Sequence, residues 1–395
     1  MNDRQIDKLI EKRKKKDISN LIDVNQVNIS EVEFWSKKNY PTYLNDLLKY
    51  SDKKCDIVPI KHIETGKDYT EEVGGDNAKI YTFEIGNPNA DYKMAVECGK
   101  HGGERIHRVT SYLFLKYLLE NPNKTKEEVL DKVRISVLPV VDPMGAHKGT
   151  RGYVSQAGDE TNNPVVVSMM HNTNFFGWED ANVVEGRNVE ESKGYRIRSL
   201  QNHFLNEFGP IDSYASLHET VMHPNLTFKN EGVMFLLHHY FTKGEIEKLA
   251  SLKRTLSGLD NLSKKVNKLN VFRSGTKSIE EYLENHPTFE KAKSIRNRVR
   301  NLGLVIYDDK LEKALAIIGQ GMRRDISLDE GLLTLGPFYK KSGIILAPDF
   351  YVLNGVTNAM TIETFSKSEA DRVKEGLGFL EAKLQVEVLG KRFYK

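Results

Sequence analysis

Cysteine is nearly absent from this chain. Its 395 residues include only Cys55 and Cys98. Two thiols make no disulfide framework, and a thiol-reducing cytoplasm is the simplest expected compartment. Long apolar runs are missing too: no stretch approaches the ~18 residues of a membrane-spanning helix. The opening MNDRQIDKLIEKRKKKD lacks the apolar core of a secretory signal. Charge of one sign is not in excess. Fifty-eight Lys+Arg stand against 55 Asp+Glu, a net charge of +3. That balance argues for neither a nucleic-acid nor a membrane partner. No internal repeat is visible. With hydrophobic residues at 39%, disordered, collagenous and low-complexity classes are excluded for the bulk of the chain.

What is present is an alternation of two periods. Residues 1–20 carry seven basic side chains from Arg4 to Lys16, read as a solvated arm or helix face. Residues 28–52 read as helical, with Leu44, Leu47 and Leu48 as an apolar stripe. Strands are expected at 80–86, 94–99, 133–141, 213–218, 232–237, 344–350 and 359–365. Helices are expected at 106–120, 195–208 and about 370–385. The pattern predicts an α/β fold, a mixed sheet with helices on both faces. Residues 241–330 break the rhythm. They are Lys/Glu/Leu-rich and strand-poor, and are expected to form a helical insertion. The domain reading is a basic arm over 1–40 and one catalytic domain over 41–395, interrupted by that insertion.

Chemistry concentrates at strand ends. Of 11 histidines, His101 is followed three residues later by Glu104, across a glycine pair, directly after the strand MAVECGK. A tight turn there can aim both side chains at one point. Imidazole nitrogen and carboxylate oxygen are good Zn²⁺ donors at about 2.0–2.2 Å. His218, in SYASLHET, ends another apolar strand, and ligand sites in open α/β sheets gather at the carboxyl ends of strands. Glu219 and His223 give the spacing HExxxH, one residue too long for the helical HExxH site. In AMTIETF, Thr361, Glu363 and Phe365 share one strand face. Glu363 there is either a solvated edge residue or a general base.

The ligand pair, the distant histidine and the late strand-borne glutamate resemble, in that order, the zinc carboxypeptidases of carboxypeptidase A type. The run VRISVLPVVDPMG followed by TRG resembles that family's "LPVvNPDG…R". SLHE stands where it has a strand-end "DLHS/T", and FYKKSG, PDFY and MTIE resemble its "Tyr…Ser-Gly…Asp-Trp…Thr-x-Glu" ending. The resemblance spans about residues 40–395, apart from the insertion. It implies a zinc-dependent amide hydrolase of mixed, eight-stranded type. It implies one zinc per chain held by His101, Glu104 and His218, with Glu363 as base. Arg151 would polarise the scissile carbonyl and Tyr339 would cover the substrate.

One departure matters. The family's Asn-Arg-Asn-Phe run, which binds a terminal carboxylate, is best matched by Asn172-Thr173-Asn174-Phe175; a rival placement at Asn162-Asn163 lacks arginine as well. Asn172 then remains as a neutral substrate contact, and Lys148, Arg151 and Arg187 are candidate cations, with Arg151 favoured. A peptide substrate of cell-wall or γ-linked type would fit the missing guanidinium. An acyl-amino-acid substrate is the alternative, because aspartoacylase-type and succinylglutamate-desuccinylase-type deacylases use a similar ligand set. A non-catalytic metal-binding scaffold is the third reading.

Overall fold

The computed structural model describes residues 21–22, 24, 27–52, 60–63, 79–120, 124–149, 153–154, 178–179, 183–185, 195–219, 233–238, 332–335, 344–364, 366 and 368–390. Its sheet is built from β1 (Ile60–Ile63), β2 (Ile80–Gly86), β3 (Tyr92–Glu97), β4 (Val133–Leu138), β5 (Ser213–Glu219), β6 (Val233–His238), β7 (Leu332–Leu335) and β8 (Asn358–Thr364). The order across it is β1-β2-β4-β3-β5-β8-β6-β7. The four central strands β4, β3, β5 and β8 run parallel to one another. β2 and β6 flank them antiparallel. The sheet is thus mixed, and the carboxyl ends of β3, β5 and β8 open on one side.

Period-two alternation assigns the faces. Met94, Val96, Ile135, Val137, Ala215, Leu217, Met360 and Ile362 belong to one buried cluster. It is covered by α1 (Ile29–Ser36), α2 (Tyr40–Asp52), α3 (Ile106–Leu119), α4 (Lys124–Lys132) and α8 (Glu369–Lys383). Ala95, Tyr214 and Ala359 belong to a second cluster on the opposite face. That side is covered by α6 (Tyr195–Asn202), its π-helical continuation His203–Glu207, and α7 (Ala347–Leu353). Helices on both faces agree with the expectation from sequence.

The amino-terminal helices are part of the core. Asn28 caps α1, its Oδ1 accepting from the Ser30 amide at 2.9 Å. Val32 and Trp35 bury the inner side of α1, and Lys116 on α3 pairs with Glu31 at 2.6 Å. Residue 40, the boundary drawn from sequence, falls inside this cluster, with buried residues on both sides. The basic run at 4–16 and the insertion at 241–330 lie outside the described residues.

One strand needs correction. Residues 344–350 read as a continuous strand, but only Ile344–Leu346 is extended, paired with Val183–Glu185. Ala347–Leu353 is helix. Pro348 has no N–H for a sheet ladder, whereas the first turn of a helix tolerates proline. α5 (Pro143–Lys148) was not assigned from sequence, where the preceding strand was read to residue 141. Asp142 caps it, accepting from the Gly145 amide at 2.9 Å, Pro143 opens it, and Gly149 closes it at φ 70°.

Candidate metal centre

The carboxyl end of β3 runs into the segment carrying His101 and Glu104. This segment is laced to the end of β4 by backbone bonds: Cys98 N to Leu138 O at 2.9 Å, Val141 N to Cys98 O at 3.0 Å, and Asp142 N to Gly99 O at 2.9 Å. The first glycine of the pair has a steric cause. A Cβ on Gly102 would lie 1.8 Å from the Gly145 carbonyl carbon and 2.2 Å from the Ala146 nitrogen, both backbone atoms of α5. Glycine alone allows the turn to press against that helix.

Three candidate ligands converge. His101, Glu104 and His218 are 3%, 7% and 1% exposed, and one ligand atom from each lies within 4.8 Å of the others. The Glu104 carboxylate sits between the imidazoles. Oε1 contacts His101 Nδ1, and Oε2 lies 3.1 Å from His218 Nδ1. The ring centroids are 4.9 Å apart. Burial works to raise the Glu104 pKa, but the two imidazoles outweigh it and hold the carboxyl well below the usual carboxylate range. Two nitrogens and a carboxylate converging in a buried pocket are the donor set of a catalytic zinc site. The residues present fit such an ion.

Glu363 stands beside them. On β8 it is in register with His218 on the adjacent parallel strand, so both side chains leave the sheet on the same face. β8 lies between β5 and β6, which removes the reading of Glu363 as a solvated residue on an edge strand. Glu219 points the other way. Its Oε2 accepts from the Ile106 amide at 3.1 Å and its Oε1 pairs with Arg372 of α8 at 2.6 Å. Its own amide donates to Glu104 Oε2 at 3.2 Å. Burial raises the Glu219 pKa, opposed by Arg372 and the Ile106 amide. The side chain thus ties the start of α3 to α8 on the far face. Arg151, Asn172 and Tyr339 lie outside the described residues, as does Phe365.

Several supporting residues gave no signal in sequence. His107 is fully buried. Its Nε2 donates toward the His218 carbonyl at 2.9 Å, with the Thr364 hydroxyl at the same distance. Ser216 lies behind His218, its Oγ 3.0 Å from Nε2. A serine two residues before a histidine is too common to stand out; the strand's period of two was the one available hint, since it places both on one face.

Residues 75–229 match the family model described as zinc carboxypeptidase, and this stretch contains all three candidate ligands. The resemblance seen in sequence is borne out there, and it makes the protein a hydrolase of the metallopeptidase class. Among solved structures, bovine thrombin-activatable fibrinolysis inhibitor in complex with tick carboxypeptidase inhibitor is similar at 13% identity. That likeness covers 90% of this chain and 99% of the other, with a TM-score of 0.47. A metallo-carboxypeptidase from Pseudomonas aeruginosa shares 13% identity over 87% of this chain and 68% of its own, with a TM-score of 0.45. One from Burkholderia cenocepacia shares 12% over 87% and 68%, with a TM-score of 0.44. With TM-scores this low, the family match bears the weight. No curated protein matches the chain. Among the described residues, no helix is long and apolar enough to cross a membrane.

Proposed function

We propose that the protein is a zinc-dependent peptidase of carboxypeptidase type, with one zinc per chain held by His101, Glu104 and His218. The observation that carries this reading is the buried convergence of those three groups beside Glu363. Zinc bound there would supply a Lewis acid and bring the pKa of a coordinated water toward ~7. Glu363 is the general base in this reading, taking the proton of the attacking water and returning it to the leaving amine. Its place beside His218 suits that role. By the resemblance, Arg151 shares the negative charge that develops on the substrate oxygen, Tyr339 covers the substrate, and Asn172 is a neutral contact.

The test is hydrolysis of a peptide amide by the zinc-loaded protein and by Glu363→Gln. The substitution is nearly isosteric and removes only the proton acceptor. Activity is expected to fall ~10²–10⁴-fold with zinc content unchanged. A Gln variant within about threefold of wild type would assign the base elsewhere.

Substrate anchoring is a separate point. A guanidinium fork holds a carboxylate through two parallel N–H···O bonds, and Thr173 cannot replace it. Arg151 is the proposed substitute, with modest activity on simple dipeptides and preference for a cell-wall or γ-linked peptide. A blocked dipeptide should be preferred over its C-terminal amide, and Arg151→Lys should weaken that preference. A strong preference that survives Arg151→Lys would place the anchor on another cation.

A further inference from the structure

Glu219 follows the candidate ligand His218 directly, and its main chain touches another: its amide donates to Glu104 Oε2 at 3.2 Å. The position of that amide depends on what the Glu219 side chain holds. Its two carboxylate oxygens have separate partners. Oε2 accepts at 3.1 Å from the amide of Ile106, which opens α3 two residues after Glu104. Arg105, at the cap position of α3, makes no side-chain cap bond. A carboxylate brought in from β5 therefore caps the helix, at the end where the dipole favours negative charge. Oε1 pairs with Arg372 Nη1 at 2.6 Å, and the two side chains are only 7% and 14% exposed.

Arg372 is the fourth residue of α8. A cation so near a helix N-terminus opposes the helix dipole, so helix formation does not account for its placement. The packing does. Gly376 stands one turn further along the same face of α8. A Cβ there would lie 2.8 Å from Thr110 Cγ2 and 3.2 Å from His107 Nδ1, both on α3. The glycine lets α8 lie close on the start of α3, and that approach carries the guanidinium to Glu219. His107 closes the same corner, its Nε2 2.9 Å from the His218 carbonyl. The end of β5, the first turn of α3 and the start of α8 thus meet at Glu219.

We infer that the Glu219–Arg372 ion pair braces the metal centre from outside: Arg372 holds the Glu219 side chain, and Glu219 holds the Glu104 carboxylate in position through its amide. Both are positioning residues, since neither belongs to the candidate ligand set. The inference rests on the zinc reading above and deepens it. Charge and position predict opposite effects here. A guanidinium near the site repels a divalent cation, so by charge alone its removal tightens zinc binding. By position, its removal leaves Glu219 a buried carboxylate without its counter-ion. The side chain then turns away from the Ile106 amide, the backbone amide shifts off Glu104, and zinc binding weakens.

The experiment measures zinc affinity by chelator competition in wild type, Arg372→Met, Arg372→Lys and Glu219→Asp. Thermal melting of each metal-free protein shows that it is folded at the assay temperature. Arg372→Met is expected to bind zinc ~10-fold more weakly, the lower end of what losing a residue behind a metal ligand costs. Arg372→Lys keeps a cation within reach of Glu219 and should recover most of the affinity. Glu219→Asp keeps the charge but is one methylene too short to hold both the Ile106 amide and Arg372, and should lose threefold or more. The brace is wrong if Arg372→Met binds within threefold of wild type or more tightly, or if the lysine variant binds no better than the methionine one. Should Arg372→Met not fold, Glu219→Asp decides: a loss of threefold or more supports the brace, and affinity within threefold contradicts it. A wild type that takes up no zinc removes the metal reading and the brace together, whereas zinc binding indifferent to Arg372 removes the brace alone.

Discussion

His107 shows how one side chain can join three elements. It sits in the first turn of α3 and reaches the His218 carbonyl on β5 and the Thr364 hydroxyl on β8. Burial holds its pKa down at about 3, so the imidazole is neutral at physiological pH. His107→Phe fills similar space but leaves the carbonyl and the hydroxyl without this partner. A buried polar group so orphaned costs about 1–3 kcal/mol. The variant should melt several degrees below wild type, and an unchanged melting temperature would mean that water replaces the imidazole. Residues of this kind were illegible in the sequence. His101, Glu104 and His218 stood out because strand ends and the HxxE spacing mark them. Glu363 stood out through strand alternation in AMTIETF. His107 carries no spacing signature, and what it does depends on contacts with His218 and Thr364, far away in sequence.

The elements bear the same division. Strands β2, β3, β5 and β8 were readable to within a residue or two, because each is a short apolar run that puts side chains into the buried clusters on both faces of the sheet. The misread segment 344–350 and the unassigned helix at 143–148 share a proline near a helix start, where apolar content alone does not tell strand from helix. Asp142-Pro143 before Gly149 was the unused signal. The close approach of Gly102 to α5 also predicts a sharp mutational effect. In Gly102→Ala the new methyl would meet α5 backbone at 1.8 Å, so the turn must lift away and carry His101 and Glu104 with it. Zinc affinity should drop at least tenfold, a larger effect than Gly103→Ala, whose Cβ meets nothing closer than 3.9 Å. Chelator competition on both variants checks this. Equal affinities would show that the turn yields without moving the ligands. A second close approach, Gly376 of α8 against Thr110 and His107 of α3, predicts destabilisation by Gly376→Ala, although alanine is the better helix former by about 1 kcal/mol.

At the scale of the molecule, two helical layers and a mixed sheet hold the three candidate ligands in place from separate segments, His101 and Glu104 after β3 and His218 on β5. A ligand that binds only the folded protein stabilises it by RT ln(1 + [L]/Kd), about 4 kcal/mol at a thousandfold excess over Kd. Zinc should therefore raise the melting temperature of the metal-free wild type by several degrees and leave His218→Ala nearly unmoved, as differential scanning calorimetry would show. The fold class and the candidate ligand set were legible because both are written in local pattern. The packing of α1 and α2 onto the core was not, since their contacts reach α3 and α8 from far away in sequence. The most direct test of the whole account is the zinc content of purified protein by elemental analysis. The account predicts one zinc per wild-type chain and strongly reduced zinc in His101→Ala and in His218→Ala. Full zinc retained in either variant would contradict it.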